Sequence, residues 1–74
     1  MTMMQKYTNK ALNILRNYEI HEIDFAGYCR HIDLIFKHIE NDYAARHMTD
    51  AELEKITAKV SRILGIKELR SAMA

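Results

Sequence analysis

The chain has 74 residues, a net charge of +1, no proline and a single cysteine, Cys29. This length favours one small domain, since so short a chain buries only about 60% of the surface exposed by its unfolded form. One cysteine excludes an internal disulfide, and the near-neutral charge selects neither nucleic acid nor a membrane. We therefore expect a single domain over residues 1–74 that gains stability from association rather than from a disulfide or a metal.

The first helix is predicted over residues 3–18. Thr2 and Gln5 have the spacing of a capping box, in which each side chain accepts a hydrogen bond from the other residue's backbone N–H. Apolar residues follow at every third or fourth position, which is typical of a helix with one buried face. This stripe contains Met4, Tyr7, Ala11, Ile14 and Tyr18. The segment 19–24 alternates apolar and polar residues, but a lone strand has no partner in this chain, so it is interpreted as a loop.

The middle helix is predicted from about residue 25 to residue 46, with Asp24 as its N-cap. Its apolar face contains Phe25, Tyr28, Ile32, Ile35, Ile39 and Tyr43. Leu34 lies almost opposite Ile32 on a helical wheel. The sequence therefore predicts that Leu34 faces away from the side that packs the domain.

The third helix, predicted over residues 50–64, has the clearest boundaries. Thr49 and Glu52 form a second capping box, and Met48 precedes them where a hydrophobic staple is expected. Gly65 stands where a helix commonly ends in a left-handed residue. A short helical turn is predicted over 66–73. Three apolar faces with short connections predict an all-α fold: a three-helix antiparallel bundle, or a dimer built on a helical hairpin, with a short C-terminal helical turn.

The apolar residues outside the three core faces are the strongest indication of function. Leu34 shares the outer face of the middle helix with the small residues Gly27 and Ala45, so a second helix can approach there. The residues predicted to bind a partner are Tyr7, Leu12, Tyr18, Gly27, Leu34 and Ala45. We expect a small non-enzymatic protein-binding module, such as a regulator, inhibitor, chaperone or adaptor, whose partner is a second copy of itself.

The alternative is a nucleic-acid-binding regulator. The C-terminal part of the chain is basic, through Lys55, Lys59, Arg62, Lys67 and Arg70. Residues 56–70 also resemble the turn region of a helix-turn-helix motif, with Ser61 four positions before Gly65. Two departures weaken this resemblance: Ser71 stands where a branched apolar residue anchors the second helix, and the chain stops at Ala74, short for a recognition helix.

No catalytic residues, metal site, cofactor or small-molecule substrate are predicted. The chain has no serine–histidine–acid set, glycine-rich phosphate loop or zinc-protease motif. His38 and Asp42 are four residues apart, but two ligands do not make a closed metal site. The chain also has no signal-like start and no long apolar run, so we expect a cytoplasmic protein.

Overall fold

The computed structural model describes residues 2–65 and contains three helices in that range: α1 (Met3–Glu19), α2 (Phe25–Ala44) and α3 (Asp50–Leu64). The helices pack on one another, which confirms the predicted all-α three-helix bundle. The bounds of α1 and α3 agree with the predicted ones to within one residue, and residues 20–24 form the loop between α1 and α2. The turn predicted over 66–73 lies outside the described residues.

Local capping explains where each helix begins. Both predicted capping boxes are present: Thr2 and Gln5 exchange side-chain hydrogen bonds at the start of α1, and Thr49 and Glu52 do so at the start of α3. The Asp24 side chain accepts from the backbone N–H of Gly27 at 2.7 Å. These side chains bind N–H groups that have no partner inside the helix, and each cap contributes about 1 kcal/mol to stability.

The end of α2 differs from the prediction, because the helix stops at Ala44 and not at about residue 46. Arg46 adopts the left-handed conformation, with φ of 62°. Its N–H donates to the carbonyl of Tyr43, and the N–H of His47 donates to that of Asp42. This pair of hydrogen bonds is a Schellman motif, which terminates a helix and is usually formed with glycine.

The same motif ends α1. His21 has φ of 63°, its N–H donates to the Tyr18 carbonyl, and the N–H of Glu22 donates to that of Asn17. Only α3 ends on a left-handed glycine, Gly65, as predicted. Two of the three helices therefore end on residues whose side chains make this conformation unfavourable.

The helices run up, down and up. The first turn of α1 contacts the last turn of α2 through Tyr7 and Asp42, and the last turn of α1 contacts the first turn of α2 through Tyr18 and Tyr28. Tyr28 also donates to the carbonyl of Leu64 at the end of α3. Neighbours in the chain are therefore antiparallel, and α1 and α3 run in the same direction.

The core lies between the three predicted apolar faces. Its buried side chains are Tyr7, Ala11, Tyr28, Ile32, Ile35, Ile39, Met48, Ile56, Val60 and Leu64. Phe25 and Tyr43, predicted as part of the α2 face, are instead partly exposed at its two ends. Among the described residues, no helix is both long and apolar enough to cross a membrane.

Candidate protein-binding groove

Two adjoining depressions lie on the surface of α2, one between α2 and α1 and the other between α2 and the loop that precedes it. Leu34 and His31 line both depressions, so both residues lie where the two meet. We call the two depressions together the Leu34 groove. The side chain of Leu34 remains about half exposed, with a relative exposure of 48%. An apolar side chain at the centre of a concave surface is a typical contact point for a partner.

The position of Leu34 follows from the helical repeat. Ile32, Ile35 and Ile39 place one side of α2 in the core. Leu34 is two residues after Ile32, which rotates it far from that side. Leu34 lines the depression between α1 and α2 and remains about half exposed there. The prediction that Leu34 faces outward is confirmed.

The smaller depression, which we call the Lys10 depression, has a volume of about 240 Å3. It is lined by apolar side chains from both helices. Basic and amide side chains form its rim, and none of its lining residues is acidic. The lining residues are Lys10, Asn13, Ile14, His31, Leu34, Ile35 and His38. Its apolar walls and its basic rim are the features that an inserted side chain of a partner would contact.

The larger depression, which we call the Glu22 depression, lies at the other end of the groove and has a volume of about 530 Å3. It is open to solvent and lies against the loop between α1 and α2. Its charged lining residues are Glu22, Asp24 and Arg30. The groove is therefore more acidic at the end near the loop and more basic at the Lys10 end.

Tyr7 and Gly27, two of the predicted partner-binding residues, are buried. Tyr7 has no exposed surface and lies in the core. The Cα of Gly27 is covered by its own loop: a Cβ there would lie 3.2 Å from the Asp24 carboxylate and 3.4 Å from Ile23. Tyr7 therefore presents no surface to a partner, whereas Gly27, although buried, lines the Glu22 depression together with Leu34.

The other predicted residues are dispersed. Tyr18 stacks on Tyr28, with ring centroids 4.5 Å apart, so its main contact is inside the bundle. Leu12 is as exposed as Leu34 but does not line the groove. Ala45 is exposed at the C-cap of α2. Of the predicted residues, Leu34 and Gly27 line the groove, and only Leu34 lines both of its depressions.

A polar cluster around Asp42, which no pattern in the sequence indicates, lies at one end of the bundle. The carboxylate of Asp42 accepts a hydrogen bond from the Tyr7 hydroxyl and lies 3.3 Å from both the Lys6 ammonium and the Nδ1 of His47. The hydrogen bond from Tyr7 is the main reason why the pKa of Asp42 falls to about 2, with His47 and Lys6 adding to it. Burial, together with the charge of Asp42, raises the pKa of Tyr7 above its ordinary value.

The Asp42 cluster joins α1 to α2. Its carboxylate is held ionised by three donors, and the phenol that it binds is held neutral. Neither of the two depressions of the Leu34 groove includes a residue of this cluster. Tyr7 and Lys6 lie 35 and 36 residues from Asp42 along the chain, so no local motif could have identified their contact with it.

The basic residues predicted for nucleic-acid binding lie on α3, where Lys55, Lys59 and Arg62 are all exposed. None of the three is in an ion pair within residues 2–65. Lys67 and Arg70 lie outside the described residues. His31 and His38 line the groove, but in the described range no three histidine, cysteine or acidic side chains lie close enough together to bind one metal ion.

Comparison with known proteins gives no relative from which a function could be transferred: no protein family, no curated protein and no solved structure matches the chain.

Proposed function

We propose that this protein is a small non-enzymatic binding module of the cytoplasm, which associates with a second copy of itself through the Leu34 groove. The observation that carries the proposal is the half-exposed Leu34 at the centre of a groove with apolar walls. As a regulator, inhibitor, chaperone or adaptor, such a module acts by helix–helix contact and needs no reactive group.

The size of the chain also supports association. Ten apolar side chains make up the buried core of the described residues, and no disulfide strengthens it. Large apolar side chains remain exposed on both α1 and α2, with Leu34 and Leu12 each at 48% and Ile20 at 56%. Covering part of this surface stabilises the folded chain, because a partner that binds only the folded state shifts the folding equilibrium.

The experiment is a measurement of mass in solution by light scattering, over a wide range of protein concentration, for the wild-type chain and two variants. Leu34→Asp places a charge at the centre of the groove, so we expect it to convert a dimer into a folded monomer. Leu12→Asp is the matched control because Leu12 has the same exposure but lies outside the groove. A wild-type chain that is monomeric at every concentration, or a Leu34→Asp variant that remains dimeric, would contradict the proposal.

The second candidate function is nucleic-acid binding, for which the exposed row of Lys55, Lys59 and Arg62 provides the observation. A phosphate backbone would bind such a row through charge, and binding would therefore weaken steeply as salt is raised. We expect Lys59→Glu combined with Arg62→Glu to abolish retention on nucleic acid and to leave self-association intact. No retention of the wild-type chain at low salt would exclude this function.

A further inference from the structure

The loop between α1 and α2 presents an exposed apolar side chain between acidic residues. Ile20, the C-cap residue of α1, is the most exposed of the large apolar residues in the described chain, at 56%. Glu19 and Glu22 lie on either side of it and are exposed. The Schellman motif at His21 fixes this corner, since the backbone N–H groups of residues 20–22 all bind carbonyls in the last turns of α1. We call residues 19–22 the Ile20 corner.

The Lys10 depression has the complementary chemistry. Its walls contain Ile14, Leu34 and Ile35, and its rim carries Lys10, His31 and His38 without any acidic residue. An apolar side chain with carboxylates beside it therefore matches this depression in apolar character and in charge. The Ile20 corner is such a group, and this chain carries it at the opposite end of the same groove, next to the Glu22 depression.

The corner cannot reach the Lys10 depression of its own chain. Glu19 and Lys10 are nine residues apart on one straight helix, which corresponds to about 14 Å along its axis. A second copy removes this obstacle. If two chains face each other with a two-fold axis near Leu34, the rotation exchanges the ends of the groove, so each Ile20 corner meets the Lys10 depression of the other chain. A two-fold contact of this kind is the most common way in which identical chains associate.

We propose that the occupant of the Leu34 groove is a second copy of this chain, with Ile20 of each copy inserted in the Lys10 depression of the other and with Glu19 and Glu22 paired with Lys10. The inference rests on the proposed function and adds to it the arrangement of the dimer. Each contact forms twice, and the two Leu34 side chains meet between them.

The test is a charge exchange between two variants, measured by light scattering on each alone and on the equimolar mixture. The first variant is Glu19→Lys with Glu22→Lys, and the second is Lys10→Glu. In each variant alone, both corner contacts join like charges, so we expect the dimer dissociation constant to rise by at least about tenfold. In a mixed dimer both contacts join opposite charges, so we expect mixing to restore association to near the wild-type level.

Two further samples separate the inference from the proposed function. Ile20→Ser should weaken the dimer without any change of charge. The control, Asp33→Lys with Glu40→Lys, reverses the charge of two exposed acidic residues of α2 outside the groove and should leave the dimer intact. If Leu34→Asp gives a monomer but mixing the charge variants restores nothing, the groove is the interface and the exchanged arrangement is wrong. If Leu34→Asp leaves the dimer intact, the groove itself is wrong.

Discussion

The two ends of the bundle are held together by different chemistry. At one end the Asp42 cluster joins α1 to α2 through a carboxylate, a phenol and an ammonium group. At the other end Tyr18 stacks on Tyr28, and the Tyr28 hydroxyl donates to the backbone of α3 at 2.8 Å. The first end depends on the ionisation of one group, and the second does not. Ionic and apolar contacts therefore do the same structural task at the two ends, and we expect the two ends to differ in their sensitivity to pH.

Removal of the carboxylate at the Asp42 end should have the largest effect on stability. Asp42→Ala leaves the fully buried Tyr7 without the acceptor of its hydroxyl, which costs about 1–3 kcal/mol. Alanine has a higher helix propensity than aspartate, and this difference offsets up to about 0.7 kcal/mol of the loss. We therefore expect a net loss of about 1–2 kcal/mol in the free energy of unfolding, measured by urea denaturation.

Asp33→Ala is the control for this prediction. Asp33 is exposed on the same helix and has the same gain in helix propensity, but it takes no part in the side-chain hydrogen bonds or ion pairs of the described residues. It should be neutral or slightly stabilising. Equal losses in the two variants would mean that the Asp42 cluster contributes nothing specific.

Acid should weaken the Asp42 end selectively. The pKa of Asp42 is lowered to about 2 in the folded chain, whereas an aspartate in an unfolded chain titrates near about 3.9. A lowered pKa means that this carboxylate stabilises the fold fully above about pH 4 and that the contribution disappears as the pH falls toward about 2. Denaturation at several pH values should therefore show that the free energy of unfolding falls within this pH window, and that it falls less in the Asp42→Asn variant.

Tyr28→Phe serves as the comparison from the other end. It removes the hydroxyl that binds Leu64, which lowers stability by about 1 kcal/mol at every acid pH, because no carboxylate takes part in that contact. The acid dependence of this variant should follow that of the wild-type chain. If the free energy of unfolding falls in acid as much in Asp42→Asn as in the wild-type chain, other carboxylates control the acid dependence of stability.

The smallest expected effect concerns the two left-handed helix ends, one at each end of the bundle. His21 and Arg46 have positive φ, which costs about 1–2 kcal/mol for a residue with a side chain, while glycine loses about 0.5–1 kcal/mol more entropy on folding. His21→Gly and Arg46→Gly should each raise the free energy of unfolding by about 0.5 kcal/mol. Glu40→Gly, inside α2, should instead lower it by about 1 kcal/mol. Destabilisation by all three would contradict this account of the helix ends.

Local signals in the sequence were enough to predict the three helices. The two capping boxes, Asp24 and Gly65 each act within four residues, so they fix helix ends before any tertiary contact forms. The end of α2 was predicted incorrectly because Arg46 adopts a conformation for which its residue type gives no signal. The apolar periodicity identified most of the core, although it could not show that Phe25 and Tyr43 lie beyond its ends.

The candidate site was predictable only in part. The helical repeat predicts the outward position of Leu34. The groove around it depends on how α1 lies against α2, which brings Lys10 and His38 together from distant parts of the chain. The same periodicity left Tyr7 ambiguous between core and interface, and the structure places it in the core. Gly27 is covered by the path of the loop at Ile23 and Asp24, which no helical wheel represents.

The central claim, that the Leu34 groove is the surface of self-association, is tested most directly by following backbone amide NMR signals as the protein is diluted. If the claim is correct, the largest shifts on dilution occur at Lys10, Asn13, His31, Leu34 and His38 and at the Ile20 corner, while the exposed face of α3 around Lys55 and Lys59 stays constant. Signals that do not move at any concentration, or shifts concentrated on α3, would contradict it.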